Sequence, residues 1–186
     1  VAVADDVSIF GDLNIWNPRL LGLLIGDGSY GEKQSPNITS CDSGVINFVK
    51  NNFDTKVYYT RPMSNGGLYE NIGIKNIRSN LRNLGIYGQT GLNKRLPKDI
   101  FKACKSDVCE LVGGLFDTDG CVYVSKSENK SHDCITLTQS SKEILEEILI
   151  LLNKLGIYGK IQETVSYSGY SSNGGSKYYI LTISDN

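Results

Sequence analysis

Val112-Gly-Gly-Leu-Phe-Asp-Thr-Asp-Gly120 decides the reading of this chain, because an earlier stretch, Leu20-Leu-Gly-Leu-Leu-Ile-Gly-Asp-Gly28, nearly repeats it. Both are apolar runs, dotted with glycine, that end in Asp-Gly. One such run alone reads as a buried helix closed by an ordinary Asp-Gly turn. Two of them half a chain apart, each opening a similar series of elements, point to an internal duplication that brings Asp27 and Asp119 to one place.

Small residues recur at helical spacing in both runs: Gly22 and Gly26, then Gly113, Gly114 and Thr118. A seam with so little side chain lets two backbones approach closely. Packed about a pseudo-twofold axis, the runs deliver Asp27 and Asp119 side by side. Adjacent carboxylates repel, which raises one pKa unless a cation lies between them. A hard divalent cation held by carboxylates, backbone oxygens and substrate phosphate, typically Mg²⁺, relieves that repulsion.

Outward from the runs the two halves match. After an acidic lead-in (1–17), Asn17-Pro18 marks a helix start. Turn formers between residues 29 and 41 predict a hairpin, and Asp42-Ser43 caps a helix carrying Val45, Ile46, Val49 and Phe53. Strands Lys56–Arg61 and Leu68–Lys75 flank Ser64-Asn65-Gly66-Gly67. A helix over Asn76–Leu84 ends at Gly85. A Gly-, Asn- and Lys/Arg-rich linker and a short helix, Lys98–Cys104, lead to Ser106-Asp107, read as a cap for the second run. Strands Cys121–Ser127 and Cys134–Thr138, a helix Lys142–Leu155 capped by Ser140-Ser141 and ended by Gly156, and strands Lys160–Tyr167 and Lys177–Ser184 complete the second half. The divisions are a lead-in 1–17, a first half 18–87, a linker 88–106 and a second half 107–186.

The net charge of −1 gives no support to a polyanionic partner, but it is uneven. Asp5, Asp6 and Asp12 lie in a lead-in without Lys or Arg, so the remainder is net positive, and basic residues are dense between Lys75 and Lys105. His132 is the single histidine, which excludes a multi-histidine metal site. Five cysteines without a CxxC pair read as reduced thiols and argue against zinc. No signal peptide or bilayer-length apolar run is visible, so an intracellular, non-secreted protein with no membrane partner is expected.

The doubled motif resembles the LAGLIDADG homing endonucleases of the two-motif, monomeric type. Leu20, Gly22, Leu23, Asp27 and Gly28 match in the first copy, with Ile25 replacing the family's first aspartate; Gly114, Leu115, Asp117, Asp119 and Gly120 match in the second. The run Leu84-Gly-Ile-Tyr-Gly88 through Leu96-Pro97 is similar to intein-borne members. The resemblance implies an α+β fold: two pseudo-twofold αββαββ(α) halves, each with an antiparallel β-sheet saddle facing DNA, packed through the motif helices. It implies a site-specific double-strand endonuclease leaving short 3′ overhangs. Asp27 and Asp119 would hold Mg²⁺ with the carbonyls of Gly26 and Thr118; Mn²⁺ would substitute, and Ca²⁺ would support binding without cleavage. It further implies a catalytic lysine ending the fourth strand, placed at Lys75 but replaced by Ser184 in the second half. A polar residue ends the second strand: Gln139 fits, with Cys41 opposite it in the first half. Since the second copy retains Asp117 and Gln139, it is expected to hold the more complete metal site. The expected partner is double-stranded DNA with a long asymmetric site, bound by a monomer.

Alternate strand residues share a sheet face. With helices on one face, the polar other face is expected to touch DNA through Lys33, Ser40, Tyr59, Arg61, Tyr69 and Asn71 in the first half. In the second half the same reasoning selects Lys126, Thr136, Thr138, Lys160, Gln162 and Tyr178. Gly85-Ile86-Tyr87 and Gly156-Ile157-Tyr158 spell half of another nuclease signature, but each closes a helix and is assigned to structure. The alternative function is a non-cleaving RNA maturase or DNA-binding regulator on the same fold; intact aspartates at both motif ends favour cutting. A complete self-splicing intein is disfavoured by Val1 and by an end at Asp185-Asn186 without a preceding histidine.

Overall fold

The computed structural model describes residues 9–64, 67–124, 133–166 and 176–184. Lys126, His132 and the Asn65-Gly66 turn lie outside these described residues.

Two helices form the axis of the molecule: α1 (Pro18–Asp27) and α4 (Lys105–Asp119). Each is followed by a four-stranded antiparallel sheet interrupted by one helix. In the first half, β1 (Gly28–Ser29), β2 (Asn37–Ser40), α2 (Ser43–Asn52), β3 (Thr55–Pro62) and β4 (Leu68–Ile74) give the strand order β1-β2-β4-β3. A short α3 (Arg78–Asn83) follows. In the second half, β5 (Gly120–Tyr123), β6 (Cys134–Gln139), α5 (Lys142–Lys154), β7 (Lys160–Ser166) and β8 (Ser176–Ser184) give β5-β6-β8-β7. The repeat is therefore a repeat of topology, as the duplicated sequence predicts.

The seam between α1 and α4 is backbone against backbone. A side chain on Gly22 would overlap the Leu111 carbonyl and approach Gly114 Cα; one on Gly114 would overlap the Arg19 carbonyl. Gly26 abuts the Thr118 side chain. Gly113, expected in the seam, faces outward instead, with only Arg19 Nη1 at 4.0 Å. Around the seam, Leu20, Leu21, Leu23, Leu24, Ile25, Leu111 and Leu115 are wholly buried. Burial of each such side chain contributes roughly 1.5–3 kcal/mol.

Local capping differs from the sequence reading in three places. Asn17 precedes α1 in a left-handed conformation (φ 42°) and makes no side-chain cap. α4 begins at Lys105, ahead of Ser106-Asp107; Asp107, already in its first turn, accepts the Ile15 backbone N–H at 2.6 Å and ties down the lead-in. Ser141 sits at the N-cap of α5, but its hydroxyl donates to Glu143 and accepts from Arg95. Asp42 does cap α2, accepting from the Val45 N–H at 2.9 Å. Gly85 and Gly156, at φ +71° and +79°, end helices where side chains rarely fit.

Candidate active site

The glycine seam carries α1 and α4 to a common end, so Asp27 and Asp119 emerge together. A Cβ on Gly26 would lie 3.1 Å from Asp119 Oδ2, which places the second carboxylate against the end of the first helix. A cavity of about 370 Å³ opens there, lined by Gly26, Lys94, Asp119, Gln139, Thr138 and Tyr178 among others.

Lys94 is the residue the sequence reading missed. It lies in the linker, just after a 3₁₀ turn (Gly91–Asn93), and its ammonium enters the end of α1. There it donates to the carbonyls of Ile25 (2.7 Å), Gly26 (2.9 Å) and Gly28 (3.1 Å), and more distantly to Leu24 (3.4 Å). A helix C-terminus leaves such carbonyls unpaired and carries partial negative charge, so a cation is stabilised there. The Tyr30 ring lies beneath it, 5.5 Å from the nitrogen. Neighbours on the linker fix its position: Arg95 donates to Ser141 and pairs with Glu143, while the Leu96 N–H donates to Glu147. The linker thus reaches the first half through Lys94 and α5 through the next two residues.

Electrostatics follow from this crowding. Asp119 is pushed up to about 6, first by burial and then by Asp27; the Gln139 hydrogen bond and Lys94 oppose the rise. Asp27 stays exposed as a residue, yet the atoms around its carboxyl still raise it, with Lys94 opposing. Lys94 is lowered by burial and held up by Asp119 and Asp27. The three groups form one coupled set: two carboxylates that repel, and one ammonium that both attract.

Ladder registers align the two halves residue by residue. Gly28 pairs with Ile38, and Gly120 with Leu137; Ile38 in turn pairs with Ile72, and Leu137 with Leu181. The counterpart of Gln139 is therefore Ser40, not Cys41 as the sequence reading placed it. Gln139 Nε2 donates to Asp119 Oδ2 at 2.5 Å. Ser40 is buried, and its hydroxyl accepts from the Asp42 N–H. Lys75 does align with Ser184, but its ammonium pairs with Asp54 at 2.9 Å, and it lines a separate cavity with Ser35, Tyr58 and Arg78. It does not line the carboxylate cavity. Asp117 turns away as well: its carboxylate meets Arg19 at 2.5 Å across the seam. Thr118 donates its hydroxyl to the Leu115 carbonyl and packs on Gly26. Among the described residues no cluster of three or more His, Cys, Asp or Glu could hold a metal.

A family model described as a LAGLIDADG-like domain matches residues 106–186, and the register above extends the same pattern to the first half. The second half is therefore a LAGLIDADG-like domain, and the first half repeats its topology. The fold of the chain is similar to that of the homing endonuclease I-WcaI bound to its DNA recognition sequence, with a TM-score of 0.57 at 16% identity over 90% of this chain and 74% of that one. I-DmoI in complex with DNA and Mn aligns with a TM-score of 0.50 at 16% identity, over 90% and 88%. At that identity the likeness concerns the fold. Among curated proteins, the probable translation initiation factor IF-2 of Methanocaldococcus jannaschii is 30% identical over 178 residues, 92% of this chain and 14% of that protein. The RNA polymerase subunit Rpo1C of the same organism is 29% identical over 140 residues, 74% and 16%. The replicative DNA helicase DnaB of Rhodothermus marinus is 27% identical over 163 residues, 77% and 16%. The chain spans only about a seventh of the length of these relatives.

Each sheet turns one face to the helices and leaves the other open. The registers place Thr39, Tyr59, Arg61, Tyr69 and Asn71 on the open face of the first sheet, and Thr136, Thr138, Lys160, Gln162 and Tyr178 on that of the second. Two expected contacts differ. Ser40 shares the helix-side face with Ile38 and is buried, so it cannot reach a partner on the open face. Asn71 is on the open face but is 8% exposed, because its amide donates to Asn37 and Thr39. Lys33 lies exposed on the β1–β2 turn. A bulge between Val57 and Tyr59 adds Tyr58, whose ring lies over Gly73.

Proposed function

We propose that this chain is a divalent-metal-dependent, site-specific DNA endonuclease that cuts both strands, acting as a monomer on a long asymmetric site. One observation carries the reading: the paired carboxylates open beside two sheet faces that are basic and free of acid. Among the described residues, Lys56, Arg61 and Lys160 occupy open-face strand positions, and no Asp or Glu does. The strand acids Glu70 and Glu163 lie on the opposite faces, paired with Lys50 and Lys177. Such a distribution suits a polyanion, whatever the net charge.

The donor set fits a hard cation. Asp27 and Asp119 supply carboxylates, and the carbonyls of Gly26 and Thr118 supply further oxygens; a phosphate completes such a site without histidine or cysteine. When bound, Mg²⁺ or Mn²⁺ supplies Lewis-acid stabilisation of charge on the scissile phosphate. The protein's own groups do the rest. Gln139 holds one oxygen of Asp119 and so orients the other. Lys94 presents a positive charge at the floor of the same cavity, where negative charge grows during phosphodiester hydrolysis. Lys94 already donates to the Gly26 carbonyl, so a metal held by that oxygen would share it with the ammonium.

The relatives support an element inserted into host proteins. An initiation factor, a polymerase subunit and a helicase have different names, yet each matches this chain over only a small part of its length. An intein-borne endonuclease unit fits that pattern, and would act inside the cell.

The test is incubation with a plasmid library of long candidate sites in Mg²⁺ or Ca²⁺. Linear product with short 3′ overhangs in Mg²⁺, abolished by Asp27→Asn or Asp119→Asn with binding retained, is the expected result. Tight, specific binding with no cleavage of any site would instead favour the regulator or maturase reading.

A further inference from the structure

The aligned registers show that the two open faces are chemically unlike at equivalent positions. Arg61 pairs with Tyr69, and Thr164 pairs with Tyr178, so Thr164 stands where Arg61 stands. By the same alignment Thr136 replaces Asn37, Ile180 replaces Asn71 and Thr182 replaces Gly73. The first face therefore offers a guanidinium and tyrosines, the amides of Asn37 and Asn71 being hydrogen-bonded within the chain. Where the two differ, the second offers the methyl groups of Thr136, Thr164, Thr182 and Ile180, while its Thr138, Lys160 and Tyr178 match Thr39, Lys56 and Tyr69 of the first.

Arg61 is also preset. Its guanidinium carbon lies 4.8 Å from the centroid of the Tyr59 ring, and Tyr59 and Tyr69 remain about two-fifths exposed around it. Stacking on an aromatic ring occupies the flat face of the fork and leaves its N–H edge free. Among the described residues Arg61 forms no salt bridge, whereas Arg19 and Arg95 are committed to carboxylates. A free, oriented fork matches the O6/N7 acceptor pair of guanine in the major groove, while apolar methyl groups match the 5-methyl of thymine.

We propose that the two halves read chemically different half-sites: Arg61, stacked on Tyr59, reads a guanine in one, and the threonine- and isoleucine-rich face of the second sheet reads thymine methyl groups in the other. This rests on the proposed DNA-binding function and specifies its substrate. The polarity of the target then follows from the protein's asymmetry. A threonine at position 164 cannot make a bidentate contact, so the guanine has no mirror-related equivalent in the second half-site.

The test uses binding rather than cleavage. The full chain, in Ca²⁺, selects from a random duplex library, and the enriched site is then dissected. Arg61→Ala, an exposed surface change, is expected to lose preference at one guanine, roughly ten- to a hundred-fold, and nowhere else. Replacing thymine by deoxyuridine in the opposite half-site should weaken binding by about fourfold per methyl removed, with little effect in the half-site sensitive to Arg61. Thr164→Arg should create a guanine preference in that opposite half. If Arg61→Ala leaves the enriched sequence unchanged, or deoxyuridine is tolerated equally in both halves, the half-site assignment is overturned while DNA binding stands. Enrichment of no sequence at all would remove the proposed function and this inference with it.

Discussion

The ammonium of Lys94 donates to the carbonyl of Gly26 at 2.9 Å, so a cation belonging to the chain already occupies the end of the first motif helix. It neutralises the helix C-terminus and the two carboxylates that the glycine seam forces together. Lys94→Met removes both effects while keeping the length of the side chain. Stability of the metal-free protein should fall by about 1–3 kcal/mol in urea denaturation, as a charge-assisted group is lost from a part-buried site. Added Mg²⁺ should recover more stability in the variant than in the parent, because the carboxylates then lack any other counter-charge. Equal recovery in both would show that Lys94 does not share their field.

Asp119 gives a pH dependence whose sign is fixed by its raised carboxyl, at about 6 against an ordinary 3.8. Between those values the folded protein holds a proton that the unfolded chain has released. Stability of the metal-free protein from this group therefore falls as pH rises from about 4 to about 6. Other carboxylates, such as Glu143 and Glu163, are lowered and slope the opposite way, so the difference between parent and Asp119→Asn isolates the effect. Asp119→Asn should be the more stable by up to about 3 kcal/mol at pH 7 in EDTA, with the gap closing below pH 4. A gap independent of pH would assign the stabilisation to something other than titration of Asp119.

What the sequence disclosed was what periodicity and repetition carry. The doubled Asp-Gly runs predicted the paired helices, and alternation predicted the strands and most of their open-face residues. Gln139 beside Asp119 followed from aligning one half with a family pattern. Lys94 was invisible because nothing local marks it: it sits in a polar segment read as a linker, and its meaning comes from Arg95 and Leu96 anchoring that segment to α5. Ser40 was misjudged because β2 has four residues, too few for parity to show which face is buried. Asn71 has the right parity, but hydrogen bonds to Asn37 and Thr39 hold it down, a three-strand arrangement no single segment encodes. Asp117 matches the motif letter for letter, yet a helical turn carries it to the outer side of the seam and to Arg19.

The glycines of the seam are not equivalent, and alanine substitution should separate them. A methyl group on Gly22 or Gly114 meets backbone of the opposite helix, which cannot rotate away. Gly114→Ala should lower stability by about 3 kcal/mol or more, or prevent folding. Gly113→Ala has open space and exchanges a poor helix former for the best one, so it should be neutral or stabilising by up to about 1 kcal/mol. Urea denaturation of the two variants side by side is the measurement; similar losses at both positions would refute the backbone-contact seam.

Gln139 and Ser40 are counterparts in the ladder, and only Gln139 touches a motif carboxylate. If the site cuts both strands, the two cuts have different support. Gln139→Leu removes the hydrogen bond that holds Asp119 down, so its carboxyl should rise further and a metal should compete less well with protons there. Loss of such a supporting contact typically lowers metal affinity or rate by roughly ten- to a hundred-fold. The effect should fall mainly on the strand served by Asp119. Supercoiled plasmid carrying the target should then accumulate as the nicked form before linear product appears, and raising the pH from 6 to 8 should shorten that delay. Ser40→Ala, whose hydroxyl serves only the turn at Asp42, should leave the ratio of nicked to linear product unchanged. Equal slowing of both strands by Gln139→Leu would mean that the two carboxylates act as a single undivided site, and the asymmetry seen in the ladder would have no catalytic counterpart.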